Sequence, residues 1–129
     1  MARIPIIRLG QILVATVLDE VRDSDALQLQ EELGALLERT DARGVLLDLS
    51  VVETVDSFLG RLFHDVASMA GLLGATTIVV GIQPAVAVTL VELGLELKGV
   101  HTALTVERGL AVLGRAVSRQ DRLARHGQR

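Results

Sequence analysis

Hydrophobic and polar positions alternate along the chain in two different periods, and the period switches at regular intervals. Ile4 to Leu9 and Ile12 to Leu18 are β-branched-rich runs parted at Gly10–Gln11, the pattern of two paired strands in a hairpin. Ala26, Leu29, Leu33, Leu36 and Leu37 then recur at helical spacing, with Gln28, Glu31, Glu32 and Glu38 on the other side and Asp23 or Ser24 as cap. Val45 to Leu49 is too short an apolar run for a helix and reads as a strand covered on both faces. After a connection from Ser50 to Asp56, a second helical stripe runs through Phe58, Leu59, Leu62, Phe63, Val66, Met69, Ala70 and Leu73 and stops at Gly74. Thr76 to Ile82 predicts another buried strand. Pro84 suits the first turn of a helix and Gly94 its end, so the run between them is read as helix despite its valines. Val100 to Leu104 predicts a short strand. Thr105 caps a last helix, with Glu107 in its first turn and Val106, Leu110, Leu113 and Val117 on one face.

The predicted order is β-β-α-β-α-β-α-β-α. Strands alternating with helices give an α/β fold: one domain, a mixed but mostly parallel sheet of four to five strands, and about four helices. The 129 residues suit a single domain with a real core. The expected division is a folded body at 1–117 and a basic, flexible C-terminal tail at 118–129.

Composition narrows the function. The net charge is −3, which argues against general nucleic-acid binding. Its distribution is uneven: residues 1–114 carry 8 basic and 15 acidic side chains, whereas residues 115–129 carry five Arg and one Asp. The two aromatics, Phe58 and Phe63, make no stacking platform for single strands. Without cysteine there is no disulfide, thiolate metal site or cysteine nucleophile. The first ten residues lack the pattern of a signal peptide, and no apolar run is long enough for a membrane span, so a cytoplasmic location is expected. Phosphate-loop, dinucleotide and nucleophile-elbow motifs are missing, and His64, His101 and His126 stand at no metal-ligand spacing. No catalytic residue, metal or cofactor is expected.

Asp56 and Ser57 close the connection after the most buried strand and open the most apolar helix. In open α/β sheets that edge is where ligands and partners are met. Either side chain can serve as the helix N-cap. Ser57 can also accept a phosphoryl group, because a helix N-terminus tolerates added negative charge.

Val55-Asp56-Ser57-Phe58-Leu59-Gly60, following the strand VLLDLS, resembles the phospho-switch of the STAS family, the anti-sigma-factor antagonist domains. The run from Gly81 to Gly94, the helix segment Leu27 to Leu33 and the opening IPIIRLGQILVATV resemble the stressosome-scaffold branch of that family. The likeness covers about residues 4–117, and the Arg-rich tail lies outside it. The resemblance implies a non-catalytic scaffold. It would co-assemble with sensor STAS paralogues into a large particle, hold a serine/threonine switch kinase, and release it when phosphorylated, toward an alternative sigma factor. Ser57 matches the phosphoserine, and Asp56, Ser57 and Phe58 the partner-binding stretch. Thr89 lies near a second regulated region of the sensors; a threonine within a helix is read as structural. The alternatives are a free antagonist that binds an anti-sigma factor directly, and an enzyme or small-ligand binder using the strand-edge pocket.

Overall fold

The computed structural model describes residues 4–94 and 100–127, with side chains described as far as Arg119. The elements follow the predicted order: β1 (Ile6–Leu9), β2 (Ile12–Thr16), α1 (Asp23–Arg39), β3 (Gly44–Asp48), α2 (Ser57–Leu72), β4 (Thr76–Val80), α3 (Pro84–Glu92), β5 (His101–Ala103) and α4 (Val106–Gly127). They form a single α/β domain. The five strands make one sheet in the order β1-β2-β3-β4-β5. β1 and β2 pair antiparallel, with Ile7 opposite Val14, and the remaining neighbours pair parallel. Each parallel step is bridged by one helix, so the C-terminal ends of β2, β3 and β4 meet along one edge.

Alternation along the strands divides the core between two faces. Leu13, Ala15, Val45, Leu47 and Val79 point to the face covered by α1, α2 and α3. Phe63 of α2 is wholly buried there, a burial that stabilises the fold by about 1.5–3 kcal/mol. Ile12, Leu46, Ile78 and Val80 point to the opposite face, where α4 brings Leu113 and the half-buried Val106 and Leu110. Gly109 sits at the tightest point of that seam: a Cβ there would lie 2.5 Å from Val80 Cγ1 and 3.0 Å from Leu46 Cδ1. Only a residue without a side chain lets the helix come this close.

Two expectations need correction. The N-cap of α1 is Arg22, not Asp23 or Ser24; its amide donates to Asp25 Oδ2, and Asp23 already lies in the helix. Leu73 stands half-exposed just beyond the end of α2, where the chain turns out toward Gly74. The described backbone of α4 runs helical past Val117 to Gly127, with Leu113 and Val117 anchoring its earlier turns on the sheet. Residues 128–129 of the expected tail lie outside the described residues. Thr105 does cap α4, accepting from the Arg108 amide at 3.2 Å.

Candidate functional site

The connection from β3 to α2 is held to the sheet edge by the buried Leu49 and Val52 and by a set of hydrogen bonds to its backbone. Leu49 N donates to Val80 O at 2.9 Å, and Val52 N to Leu49 O at 2.9 Å, which turns the chain. Asp48 Oδ1 accepts from Ser50 N at 3.0 Å, fixing the first step of the turn. Two neighbouring connections grip it from the sides. Glu53 N donates to Asp19 Oδ1, from the β2–α1 connection, at 3.0 Å. Gln83 Nε2 donates to Ser50 O at 2.9 Å, from the residue before α3. Gly81 passes so close that a Cβ would lie 3.0 Å from the Ser50 backbone nitrogen, and its φ of +73° is one that favours glycine.

These ties deliver Asp56 in extended backbone, φ −122° and ψ 178°, at the N-cap of α2. Its Oδ1 accepts from Leu59 N at 2.9 Å. The capping role open to either residue in the sequence therefore belongs to Asp56. Ser57 is left as the first helical residue, exposed, and its hydroxyl makes no hydrogen bond among the described residues. Phe58 is half-buried against the core and anchors the turn. The three predicted site residues thus have three different tasks: a cap, a free hydroxyl and an anchor.

The surroundings of Ser57 are acidic and partly apolar. Leu18, Val21, Val55 and Phe58 line a cleft of about 180 Å³, with Glu20 and Asp56 at its polar margin. Glu20, on the margin of the same cleft, adopts a φ of 61°, uncommon for a residue with a side chain. No acidic residue occupies the first turn of α2 itself. A phosphate on Ser57 would meet the favourable N-terminal dipole and the opposing charge of Asp56. The Ser57 hydroxyl has no hydrogen-bonded base among the described residues. His64 lies on the exposed side of α2 beside Asp65. Among the described residues no three His, Asp or Glu side chains are grouped to hold a metal, and no helix is long and apolar enough to cross a membrane.

The model of the STAS domain matches residues 3–109. The chain belongs to the STAS domain family. It is 33% identical over 101 residues to the RsbT co-antagonist protein RsbRD of Bacillus subtilis, a match covering 76% of this chain but 36% of that protein. The chain thus spans about a third of the length of that relative. Among solved structures it resembles RsbS of Moorella thermoacetica, in a form with a serine-to-glutamate substitution. The TM-score is 0.77 at 35% identity, over 91% of this chain and 99% of that one. A chain from the molecular architecture of the stressosome, there called a signal integration and transduction hub, gives a TM-score of 0.76 at 36% identity. That match covers 87% of this chain and 97% of the other.

Thr89, the second hydroxyl of interest in this STAS domain, is committed within its own helix: its Oγ1 donates to Ala85 O at 3.0 Å. Sequence reasoning missed Asp19, Gly81 and Gln83, the three residues that brace the β3–α2 connection. Gly81 carried a signal, a glycine directly after a buried strand. Asp19 and Gln83 carried none, because their partners are backbone groups more than thirty residues away.

Proposed function

We propose that this STAS domain is a non-catalytic, cytoplasmic regulatory module of the stressosome type, with Ser57 as its phosphoacceptor. The observation that carries the reading is the division of labour at the start of α2. Asp56 makes the cap, and the adjacent serine is exposed with an unengaged hydroxyl. The similarity to an RsbS and to a stressosome chain, each over most of both chains, supports the scaffold role. The likeness to an RsbT co-antagonist supports the choice of partners: an RsbR-like sensor paralogue in a mixed oligomeric particle, and an RsbT-like serine/threonine kinase. Asp56, Ser57 and Phe58 form the partner-contacting stretch. The kinase is held while Ser57 is unmodified and released when it is phosphorylated, which feeds an alternative sigma factor or another stress output. The body at 1–117 carries these functions without the basic end.

The experiment is phosphorylation in vitro by the cognate kinase, followed by intact mass and peptide mapping. One phosphate is expected on the peptide carrying Ser57, with incorporation lost in Ser57→Ala. Undiminished incorporation in Ser57→Ala would overturn the assignment.

A further inference from the structure

α3 and α4 leave the sheet on opposite sides. α3, which follows β4, lies on the face shared with α1 and α2, and α4, which follows β5, lies on the other. Among the described elements, β4 and β5 are the one parallel pair whose following helices part in this way. A sheet opens a crevice at such a point, just beyond the C-terminal ends of the two strands, and small ligands bind there. Here the crevice is a groove of about 520 Å³ that crosses the end of β5. Ile82 and Ala87 wall it on the α3 side, Val112 on the α4 side, and Ala103 and Leu104 lie between them. Small-ligand sites typically measure about 300–1,000 Å³, so the groove has the size of one. It shares no lining residue with the cleft beside Ser57.

The polar groups of the groove decide what it can hold. Among the described residues, Arg108 is the one charged group that lines it, and no carboxylate does. The Arg108 guanidinium makes no ion pair or hydrogen bond among the described residues; only its backbone amide is engaged, by the Thr105 cap. The Thr102 hydroxyl, also on the groove, is likewise unengaged among them. The free cation stands out in a body whose residues 1–114 carry 15 acidic side chains against 8 basic. The cleft beside Ser57 is the opposite case, with Glu20 and Asp56 on its margin and no basic residue. An apolar trough with one free guanidinium is complementary to a molecule with an apolar body and one anionic head. A planar guanidinium pairs a carboxylate through two parallel N–H···O bonds, and the Thr102 hydroxyl is a further donor on the same groove. One positive charge balances one carboxylate, whereas a phosphate dianion would leave negative charge uncompensated in an acidic chain.

We propose that this crevice binds a small monocarboxylate with an apolar body, its head paired to Arg108 and its body laid between α3 and α4. The site is independent of whether Ser57 is phosphorylated. The test uses the full chain alone, with decanoate as probe below its micellar range. Decyltrimethylammonium serves as the same alkyl chain with the opposite charge. Calorimetric titration should give saturable one-to-one binding of decanoate, and binding of decyltrimethylammonium at least about tenfold weaker. Arg108→Gln should weaken decanoate binding about tenfold or more, because the charge-assisted pair is lost. Ala87→Phe, at an exposed position on the groove wall, fills the trough and should abolish binding with the melting temperature little changed. Arg115→Gln, on α4 but outside the groove, should leave the affinity unchanged. Backbone amide shifts on adding decanoate should centre on Ile82, Ala87, Thr102 and Arg108. Failure of decanoate to saturate, equal binding of the two amphiphiles, full affinity in Arg108→Gln or Ala87→Phe, an equal loss in Arg115→Gln, or shifts centred on the cleft of Leu18 and Phe58 would overturn the proposal.

Discussion

The start of α2 and the seam under α4 lie on the same small domain and could hardly differ more in their tolerance of change. At the seam, Gly109 leaves no room for a methyl group between α4 and the sheet. At the corner, Ser57 is exposed with an unengaged hydroxyl, and the connection before it is held by the buried Leu49 and Val52 and a handful of hydrogen bonds. The difference shows where a domain of this size can accept an added charge. Stability is concentrated in the two packed faces of the sheet, and the Ser57 hydroxyl projects from a place where little packing depends on it. A charge can then be added at the corner without a large cost to the fold, and its effect falls on whatever is docked there.

The largest expected effect tests the rigid side of this contrast. Gly109→Val must push α4 away from Val80 and Leu46, both fixed in the sheet. Overpacking of this kind costs about 3 kcal/mol, and at this chain length that lowers the melting temperature by roughly 10 °C. Calorimetry checks it; a melt within two or three degrees of the parent would mean that the seam is looser than the geometry requires. Asp56→Ala removes the cap of α2 and should cost about 1 kcal/mol. Asp56→Asn or Asp56→Ser should restore most of that loss, because either side chain can accept from the Leu59 amide. Denaturant titration of the series separates lost capping from lost charge. Removing residues 118–129 should matter less still. Leu113 and Val117 remain in place, so the shortened chain should melt within a few degrees of the parent and still assemble with the sensor paralogue. Loss of assembly in a shortened chain that still folds would assign the basic end a structural part. Thr89→Ala gives up one bond within α3 and should change stability by about 0.5 kcal/mol or less. It should leave phosphate incorporation by the kinase unchanged.

The same contrast governs how much could be read from the chain. The nine described elements and their order were legible, because the strands are short runs too brief for helices and each long helix shows an apolar stripe at the right period. What lay hidden depends on tertiary geometry. Either Asp56 or Ser57 could cap α2 by residue type, and the choice follows from the extended backbone that the Asp48, Ser50 and Glu53 bonds impose on the connection. The run between Pro84 and Gly94 was legible as helix despite its valines, and only the folded chain shows Val88 and Val91 facing outward. The helical backbone beyond Val117 was hidden for the opposite reason. A stretch poor in large apolar residues reads as frayed, yet it extends a helix already nucleated and anchored upstream. Nothing in the sequence marks Gly109 as a close approach, because the atoms it meets, on Val80 and Leu46, come from the sheet.

At Ser57 the opposing electrostatic terms are small. The dipole of α2 favours a phosphate by roughly 0.3–1 kcal/mol, Asp56 opposes it, and both are screened over about 8 Å at physiological salt. At a docked surface the same charge, −1.5 to −2 at neutral pH, must be desolvated or must meet new neighbours, and there it can cost several kcal/mol. The most direct test is calorimetric melting of the chain stoichiometrically phosphorylated on Ser57, beside titration of the same sample against the kinase. The account predicts a melting temperature within a few degrees of the unmodified protein and kinase affinity lowered about tenfold or more, a shift of about 1.4 kcal/mol. A collapsed melting temperature would place the switch inside the fold, and an unchanged affinity would remove Ser57 as the point of release.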